Sequence, residues 1–284
     1  MSPRLAAFSA LLATAVSFGP SAAHSATAEQ AQILVQKFGI PQWQRATAQI
    51  KTLRANPPNT AMADTWKSLD AETDAATGKA PLAKATTPQS ADDLMVLSSW
   101  LRWRILSENA DARYSYAYAA NLHYMRDARG DFRKEAATFF YHARLALAID
   151  GARCADRASP ESVAMGFETQ PYFQPLVAQV TAMSSKEKGI AMLEAVSLEQ
   201  LRGERPALGA LCTRGAQSIL RAMASGRQPE LQKPDGAASA PATQQRTYTV
   251  DVSGIEPALV PEDQWKQKRK EILDKTLQDA AGLL

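Results

Sequence analysis

Apolar side chains between residues 132 and 147 recur at the spacing of one face of an α-helix. They occupy positions i, i+4, i+7, i+8, i+11 and i+15, and the run closes at Asp150-Gly151, a pair typical of a helix end. The residues are Phe132, Ala136, Phe139, Phe140, Ala143 and Leu147. The same periodicity follows Ser90, which can cap a helix that begins with Asp92 and Asp93. The pattern predicts an all-α fold, an irregular helical bundle of α-hairpins.

One short segment near the C-terminus departs from this pattern. Arg246 to Val252 alternates apolar with polar residues, as an extended strand does. A lone strand leaves its backbone hydrogen-bonding groups unpaired. We expect the segment to dock on the helices as extended chain, to pair with a segment that the pattern does not reveal, or to add to the edge of a partner's sheet.

Shifts in composition divide the chain into six segments. Gly39 is expected to separate two short helices in the second segment, and Arg153 to Pro175 is expected to form a long loop. The segments are a signal peptide (1–28), N-terminal helices (29–55), a flexible connector (56–89), a main helical domain (90–227), a linker (228–245), and an extended segment plus C-terminal helix (246–284).

The first segment has the layout of a secretory signal peptide. Arg4 supplies a positive charge, Leu5 to Phe18 form an apolar run too short to cross a bilayer, and small residues follow. Small residues at positions −3 and −1 favour a cut after Ala28 and also fit a cut after Ser25. We expect a periplasmic or secreted protein without a transmembrane segment. Because the first cysteine is Cys154, no lipid anchor is expected.

The charge balance argues against a nucleic-acid partner. Removing the leader leaves 31 of the 32 basic residues against all 29 acidic ones, a net charge of +2, with both signs interspersed. Nucleic-acid binders usually concentrate basic residues on one surface. On the same ground an anionic membrane is not a favoured partner. The sequence contains no cofactor-binding or metal-binding motif, so no cofactor and no metal site are expected.

Two cysteines in an exported chain most economically form one disulfide. Cys154 and Cys212 are 58 residues apart. Under the chain-entropy description, closing such a loop stabilises the fold by about 4 kcal/mol.

Aromatic residues are concentrated in the middle of the chain. Ten of the eighteen that follow residue 28 lie between Trp100 and Tyr141. Tyrosine and tryptophan are common at interfaces, and they also fill the space between packed helices. The sequence leaves open whether the candidate residues form a binding surface or fill the core. They are Trp100, Trp103, Tyr114, Tyr116, Tyr118, Tyr124 and Tyr141.

The polar candidates for chemistry are few. His123 and His142, the two histidines after the leader, lie outside every catalytic or zinc motif, so helix packing is their expected role. Asp127, Asp131 and Glu135 are spaced by four residues and could pair as acid and base in glycoside cleavage. The alternative is that they cap the next helix. No catalytic residue is assigned.

The helical pair Tyr114–Tyr124 and Phe132–Leu147, joined at Gly130-Asp131, resembles one unit of the tetratricopeptide or Sel1 repeat families. The resemblance covers about 35 residues without a second copy, and it implies peptide or protein binding on a concave helical face.

The leading hypothesis is an exported, non-catalytic helical protein that binds a protein partner, as an envelope adaptor or an immunity-type inhibitor. The alternative is an envelope polysaccharide or peptidoglycan hydrolase. It would use the clustered carboxylates beside a sugar platform of Trp103, Tyr116 and Tyr124. A third reading is a structural component that oligomerises through its helices.

Overall fold

The computed structural model describes residues 26–73, 84, 86–125, 130–156, 158–205, 209–213, 215–231, 248–252 and 254–284. In these ranges the fold is an all-α helical bundle, as predicted. Its helices are α1 (Ala28–Leu34), α2 (Ile40–Ala55), α3 (Thr60–Thr73), α4 (Ala91–Glu108), α5 (Ala112–Tyr124), α6 (Arg133–Gly151), α7 (Ala158–Glu168), α8 (Gln174–Ala182), α9 (Ser185–Arg202), α10 (Gly209–Cys212), α11 (Ala216–Ala224) and α12 (Glu262–Leu283).

The prediction that Gly39 separates two helices is wrong. A π-helical turn, Val35–Gly39, joins α1 directly to α2, so the chain stays helical from Ala28 to Ala55. Glycine is required there for another reason. A Cβ at position 39 would lie 2.4 Å from the Cβ of Ser197 on α9, which is far inside van der Waals contact. The π-helical turn therefore packs its backbone directly onto α9.

The α5–α6 hairpin forms the centre of the bundle. α4 and α8 pack against α5, and α9 packs against α6. The predicted Ser90 cap is present, since the Ser90 hydroxyl accepts a hydrogen bond from the Asp93 amide at 3.1 Å. Because α5 is enclosed by helices on several sides, nearly all its side chains are buried, including small residues such as Ala117, Ala119 and Ala120.

The C-terminal helix α12 completes a second apolar cluster with α1, α6 and α9. Trp265 is fully buried there, and its indole N–H donates to the carbonyl of Ile149 at 2.9 Å. None of the described helices combines the length and the apolar composition that crossing a membrane requires.

The predicted disulfide between Cys154 and Cys212 is present and buried. An extended segment lies over it. The Ala155 amide donates to the carbonyl of Ala258 at 2.9 Å, and the Val260 amide donates to the carbonyl of Arg153 at 2.8 Å. The disulfide thus joins the end of α6 to α10 beneath the chain that leads into α12.

The expected extended segment pairs with this chain itself. Tyr248–Thr249 forms a two-residue antiparallel pair with Glu230–Leu231, with Leu231 opposite Tyr248. Arg246 and Thr247 lie outside the described residues. For the rest of the segment, pairing with a segment that the pattern did not reveal is the alternative found. Each strand has two residues, so the all-α class holds.

The expected long loop from Arg153 to Pro175 is also corrected. It contains all of α7 and the start of α8. Its prolines do not break these helices, because Pro160 lies in the first turn of α7 and Pro175 in the first turn of α8. Proline is tolerated in a first turn, since the amide that it lacks would have no helical partner there. The connector 56–89 contains α3, and Trp66 and Leu69, whose spacing predicts a helix there, are both buried on it.

Candidate functional site

A cleft of about 410 Å³ opens between α2, α4, α9 and the start of α6. Its volume falls within the range of pockets that hold small molecules or a few side chains of a partner. It is lined by Gln42, Trp43, Arg45, Ala46, Gln49, Arg102, Asp131, Phe132, Lys134, Glu135 and Glu194.

Trp43 fixes the position of α2 against α9 at this cleft. Its indole N–H lies 3.0 Å from the carbonyl of Glu194 and 2.9 Å from the hydroxyl of Ser197, and can donate to both. Its ring meets Phe139 edge to face, with centroids 5.5 Å apart. The same Ser197 touches Gly39, so the π-helical turn and Trp43 dock on one point of α9. This contact holds Glu194 in the wall of the cleft.

The half-buried carboxyl of Glu194 has one hydrogen-bond partner within the described part of the chain. Its Oε2 accepts a hydrogen bond from the Thr138 hydroxyl at 2.6 Å. Burial raises the pKa of Glu194 above its ordinary value. The Thr138 hydrogen bond opposes that shift, and the nearby charge of Glu135 adds to it. Glu194 can therefore hold a proton at a higher pH than an exposed glutamate.

Glu135 faces the same cleft from α6. Its Oε1 accepts a hydrogen bond from the Tyr118 hydroxyl at 2.9 Å and lies 3.9 Å from Nη2 of Arg102. Burial raises the pKa of Tyr118 well above its ordinary value, so the phenol stays protonated and keeps donating. These contacts hold the Glu135 carboxylate in place.

Three cations and three carboxylates line the cleft together. Asp131 is held by Arg133, whose hydrogen bonds lower the pKa of that carboxyl to about 2. Within the described ranges, Arg45 and Lys134 make no ion pair. The cleft thus presents two cations that are open to a ligand beside the carboxylates of Glu135 and Glu194.

The structure places the predicted acid–base residues as follows. Asp131 and Glu135 both line the cleft, and Asp127 lies outside the described residues. Glu194 joins them from α9. The predicted sugar platform does not, since Trp103, Tyr116 and Tyr124 are absent from the lining.

The aromatic residues divide between core and surface. Trp100, Tyr114, Tyr116 and Tyr118 are buried and cannot form an exposed binding surface, which corrects that expectation for these four. They fill the core because they lie on the enclosed α5 and on α4 beside it. For example, Tyr118 packs edge to face on Phe139 at 4.6 Å. Core filling, the other alternative, describes them.

The remaining three aromatic candidates do not form one surface. Trp103 on α4 is half-buried, with its indole N–H donating to Glu108 at 2.7 Å. Tyr124 at the end of α5 is partly exposed, and its ring lies against that of Tyr172 at a tilt of 30°, with centroids 4.8 Å apart. Tyr141 on α6 is half-buried. No ring contact among the described residues joins these three side chains to each other.

Ser115, His142 and Glu199 form a chain of contacts with the composition of a hydrolase triad. The Ser115 hydroxyl lies 2.9 Å from Nδ1 of His142, and Nε2 of His142 lies 3.4 Å from Glu199. All three side chains are fully buried. A substrate therefore has no access to the Ser115 hydroxyl in this fold.

His142 contacts charged groups on its other side. Nη1 of Arg202 lies 3.0 Å from Nε2, near the Glu199 carboxylate. Burial lowers the pKa of His142 to about 4, so the ring is neutral at pH 7. The predicted packing role of this histidine holds.

Sequence reasoning missed Trp43, Arg102 and Glu194. They lie on three helices and are separated by more than fifty residues from one another, so no local spacing connects them. Among the described residues, no group of three or more His, Cys, Asp or Glu side chains is arranged to hold a metal ion.

No protein-family model, no curated protein and no solved structure matches this chain. The resemblance of the α5–α6 hairpin to tetratricopeptide and Sel1 units therefore stays a resemblance.

Proposed function

We propose that this chain is an exported, non-catalytic helical protein that binds a protein partner and holds a segment of it in the cleft. Export is supported by the leader-like first 28 residues and by the buried disulfide, which is typical of proteins that fold in an oxidising compartment. A periplasmic or secreted adaptor, or an inhibitor of a toxin, fits both features.

The observation that carries the proposal is the mixed charge of the cleft. The cations of Arg45 and Lys134 line the same cleft as the carboxylates of Glu135 and Glu194. Gln42 and Gln49 add neutral hydrogen-bonding groups to this lining. A partner segment that carries one acidic and one basic side chain complements this lining. Charge complementarity of this kind selects the partner and its register more than it adds raw affinity.

Site-specific photo-crosslinking in the envelope of the source cells tests the proposal. A crosslinker at Gln49 in the cleft should give a discrete product with another protein, and one at the exposed Gln267 on α12 should not. Mass spectrometry of the product should map the contact to a partner segment that carries both charges. If Gln49 and Gln267 yield the same products, the cleft is not the binding site.

A second candidate function is glycoside hydrolysis, favoured by the raised pKa of Glu194 beside Glu135. A protonated Glu194 could donate its proton to a leaving-group oxygen while Glu135 acts as base or nucleophile. The assay is release of soluble fragments from purified peptidoglycan. Activity should fall by at least about a hundredfold in Glu194→Gln and in Glu135→Gln. The exposed Glu271→Gln serves as the control, and no release by the unaltered protein would exclude this function.

A further inference from the structure

Helix α11 carries its large apolar residues on the side that faces solvent. The residues that it buries are small, Ser218 and Ala222. Leu220 is 64% exposed, Met223 44% and Ile219 37%. A helix that simply packs on a core has the opposite arrangement, with the large apolar residues inside.

The outward orientation of α11 is fixed by contacts at its N-terminus. Cys212 of the disulfide lies four residues before the helix, and the Gln217 amide donates to Oδ2 of Asp156 at 2.8 Å. Gly215 leaves the space that this carboxylate fills, since a Cβ there would lie 2.1 Å from Oδ2. The buried Asp156 therefore holds α11 in one rotational setting, with its apolar side outward.

One arginine of α11 is open to solvent. The segment 205–229, between Glu204 and Glu230, contains four arginines. Arg205 is buried, and Arg227 bonds to Asp251. Arg221 is exposed on the flank of the helix next to Leu220, and no described side chain forms an ion pair with it. The outward face of α11 thus combines an apolar ridge with an open cation.

We propose that α11 docks this protein on an anionic phospholipid bilayer. Leu220, Met223 and Ile219 enter the boundary between headgroups and acyl chains, and Arg221 lies at the level of the lipid phosphates. Short amphipathic helices that lie flat in the interface bind through this combination of apolar area and positive charge. The surface shares no residue with the cleft, so the two sites can be occupied together.

A second copy of the chain fits this face less well. Only three partly exposed apolar side chains form the face, whereas a stable protein–protein interface buries about 800 Å² on each partner. The face is a ridge on one nine-residue helix and not a broad complementary surface. A bilayer needs no matching shape, because lipids adjust to the helix.

Co-sedimentation with vesicles tests the proposal, using protein that lacks residues 1–25 so that no leader contributes. The protein should partition onto vesicles of phosphatidylglycerol and phosphatidylethanolamine more strongly than onto phosphatidylcholine alone. Leu220→Ser should lower the partition coefficient about tenfold. Arg221→Gln should lower it about fivefold on the anionic vesicles only.

Two control variants test whether vesicle binding depends on this face of α11 or on any exposed apolar or cationic side chain. Ile190→Ser removes a 43% exposed apolar residue on α9, and Lys186→Gln removes an exposed cation on the same helix. Both should bind within twofold of the unaltered protein. All four variants change exposed side chains, and an unchanged melting temperature confirms that each one folds.

Several results would overturn the proposal. The protein staying in the supernatant with anionic vesicles would do so, as would equal losses in Leu220→Ser and Ile190→Ser. Size-exclusion chromatography that shows a dimer lost in Leu220→Ser would assign the face to a second copy. A photo-crosslinker at Leu220 that reacts in cells with a protein, and not with lipid, would assign it to a protein partner.

Discussion

Arg205 donates two hydrogen bonds to the carboxylate of Asp150, Nε to Oδ2 at 3.0 Å and Nη2 to Oδ1 at 3.1 Å, and both side chains are buried. Its remaining Nη1 donates to Glu199 at 2.6 Å. The guanidinium thus joins the end of α6 to α9 through charges that have no access to water.

Replacing Arg205 by alanine should destabilise the protein by about 3–5 kcal/mol, because the buried Asp150 loses its ion-pair partner and the buried Glu199 keeps only Arg269, at 3.7 Å. Urea unfolding at pH 7 measures the change. The exposed pair Lys270 and Asp274 provides the control, since Lys270→Ala should cost less than about 1 kcal/mol. Equal costs in the two variants would show that the buried network does not hold the helices together.

The stability should fall as the pH drops from 7 to 5. Burial lowers the pKa of His142 to about 4, whereas an unfolded histidine titrates near 6.5. In this window the unfolded state binds the proton and the folded state does not, so unfolding becomes more favourable by about 2 kcal/mol. His142→Gln should flatten this dependence in urea titrations. An unchanged slope would mean that His142 is not buried in its neutral form.

The disulfide should resist reduction in the folded protein. Cys154 and Cys212 are both buried, so a thiol reductant reaches them only after the structure opens. Thiol labelling after reductant treatment should detect two cysteines in denaturant and none without it. The Cys154→Ser and Cys212→Ser double variant should lose about 4 kcal/mol of stability. Rapid labelling of the native protein would contradict the burial of this bond.

Gly39→Ala tests the contact between the π-helical turn and α9. Alanine normally stabilises a helix relative to glycine by about 0.5–1 kcal/mol. Here the new Cβ overlaps Ser197, so the variant should instead lose about 1–3 kcal/mol in thermal or urea unfolding. Adding Ser197→Gly should restore part of the loss. A stabilised Gly39→Ala would show that the π-helical turn does not lie against Ser197.

The sequence correctly predicted the helices and caps that depend on a short stretch of neighbouring residues. The run from Phe132 to Leu147 appears as α6, and Ser90 caps α4 as its hydroxyl chemistry requires. The errors arose where a proline or a glycine was taken to end a helix without regard to its position in the helix. Pro160 and Pro175 lie in the first turns of helices. Gly39 lies within a continuous helical run and allows close packing on α9.

The candidate sites were predicted less completely than the fold. Asp131 and Glu135 could be found, because four-residue spacing places them close together. Glu194 and Trp43 enter the cleft only through tertiary packing, which no sequence window contains. The outward face of α11 was missed for a related reason. The amphipathic pattern shows that one face is apolar but not which face the tertiary structure buries.

The central claim is that the charged cleft binds a protein partner. Isothermal titration calorimetry with the partner that the crosslinker at Gln49 captures tests this claim most directly. The double variant Arg45→Glu and Lys134→Glu places like charges against the acidic side chain of the bound segment, and it should weaken binding at least tenfold. The variant Lys266→Glu and Lys275→Glu makes the same change in net charge on α12 and should bind like the unaltered protein. Equal affinity of the cleft variant and the unaltered protein would contradict the account.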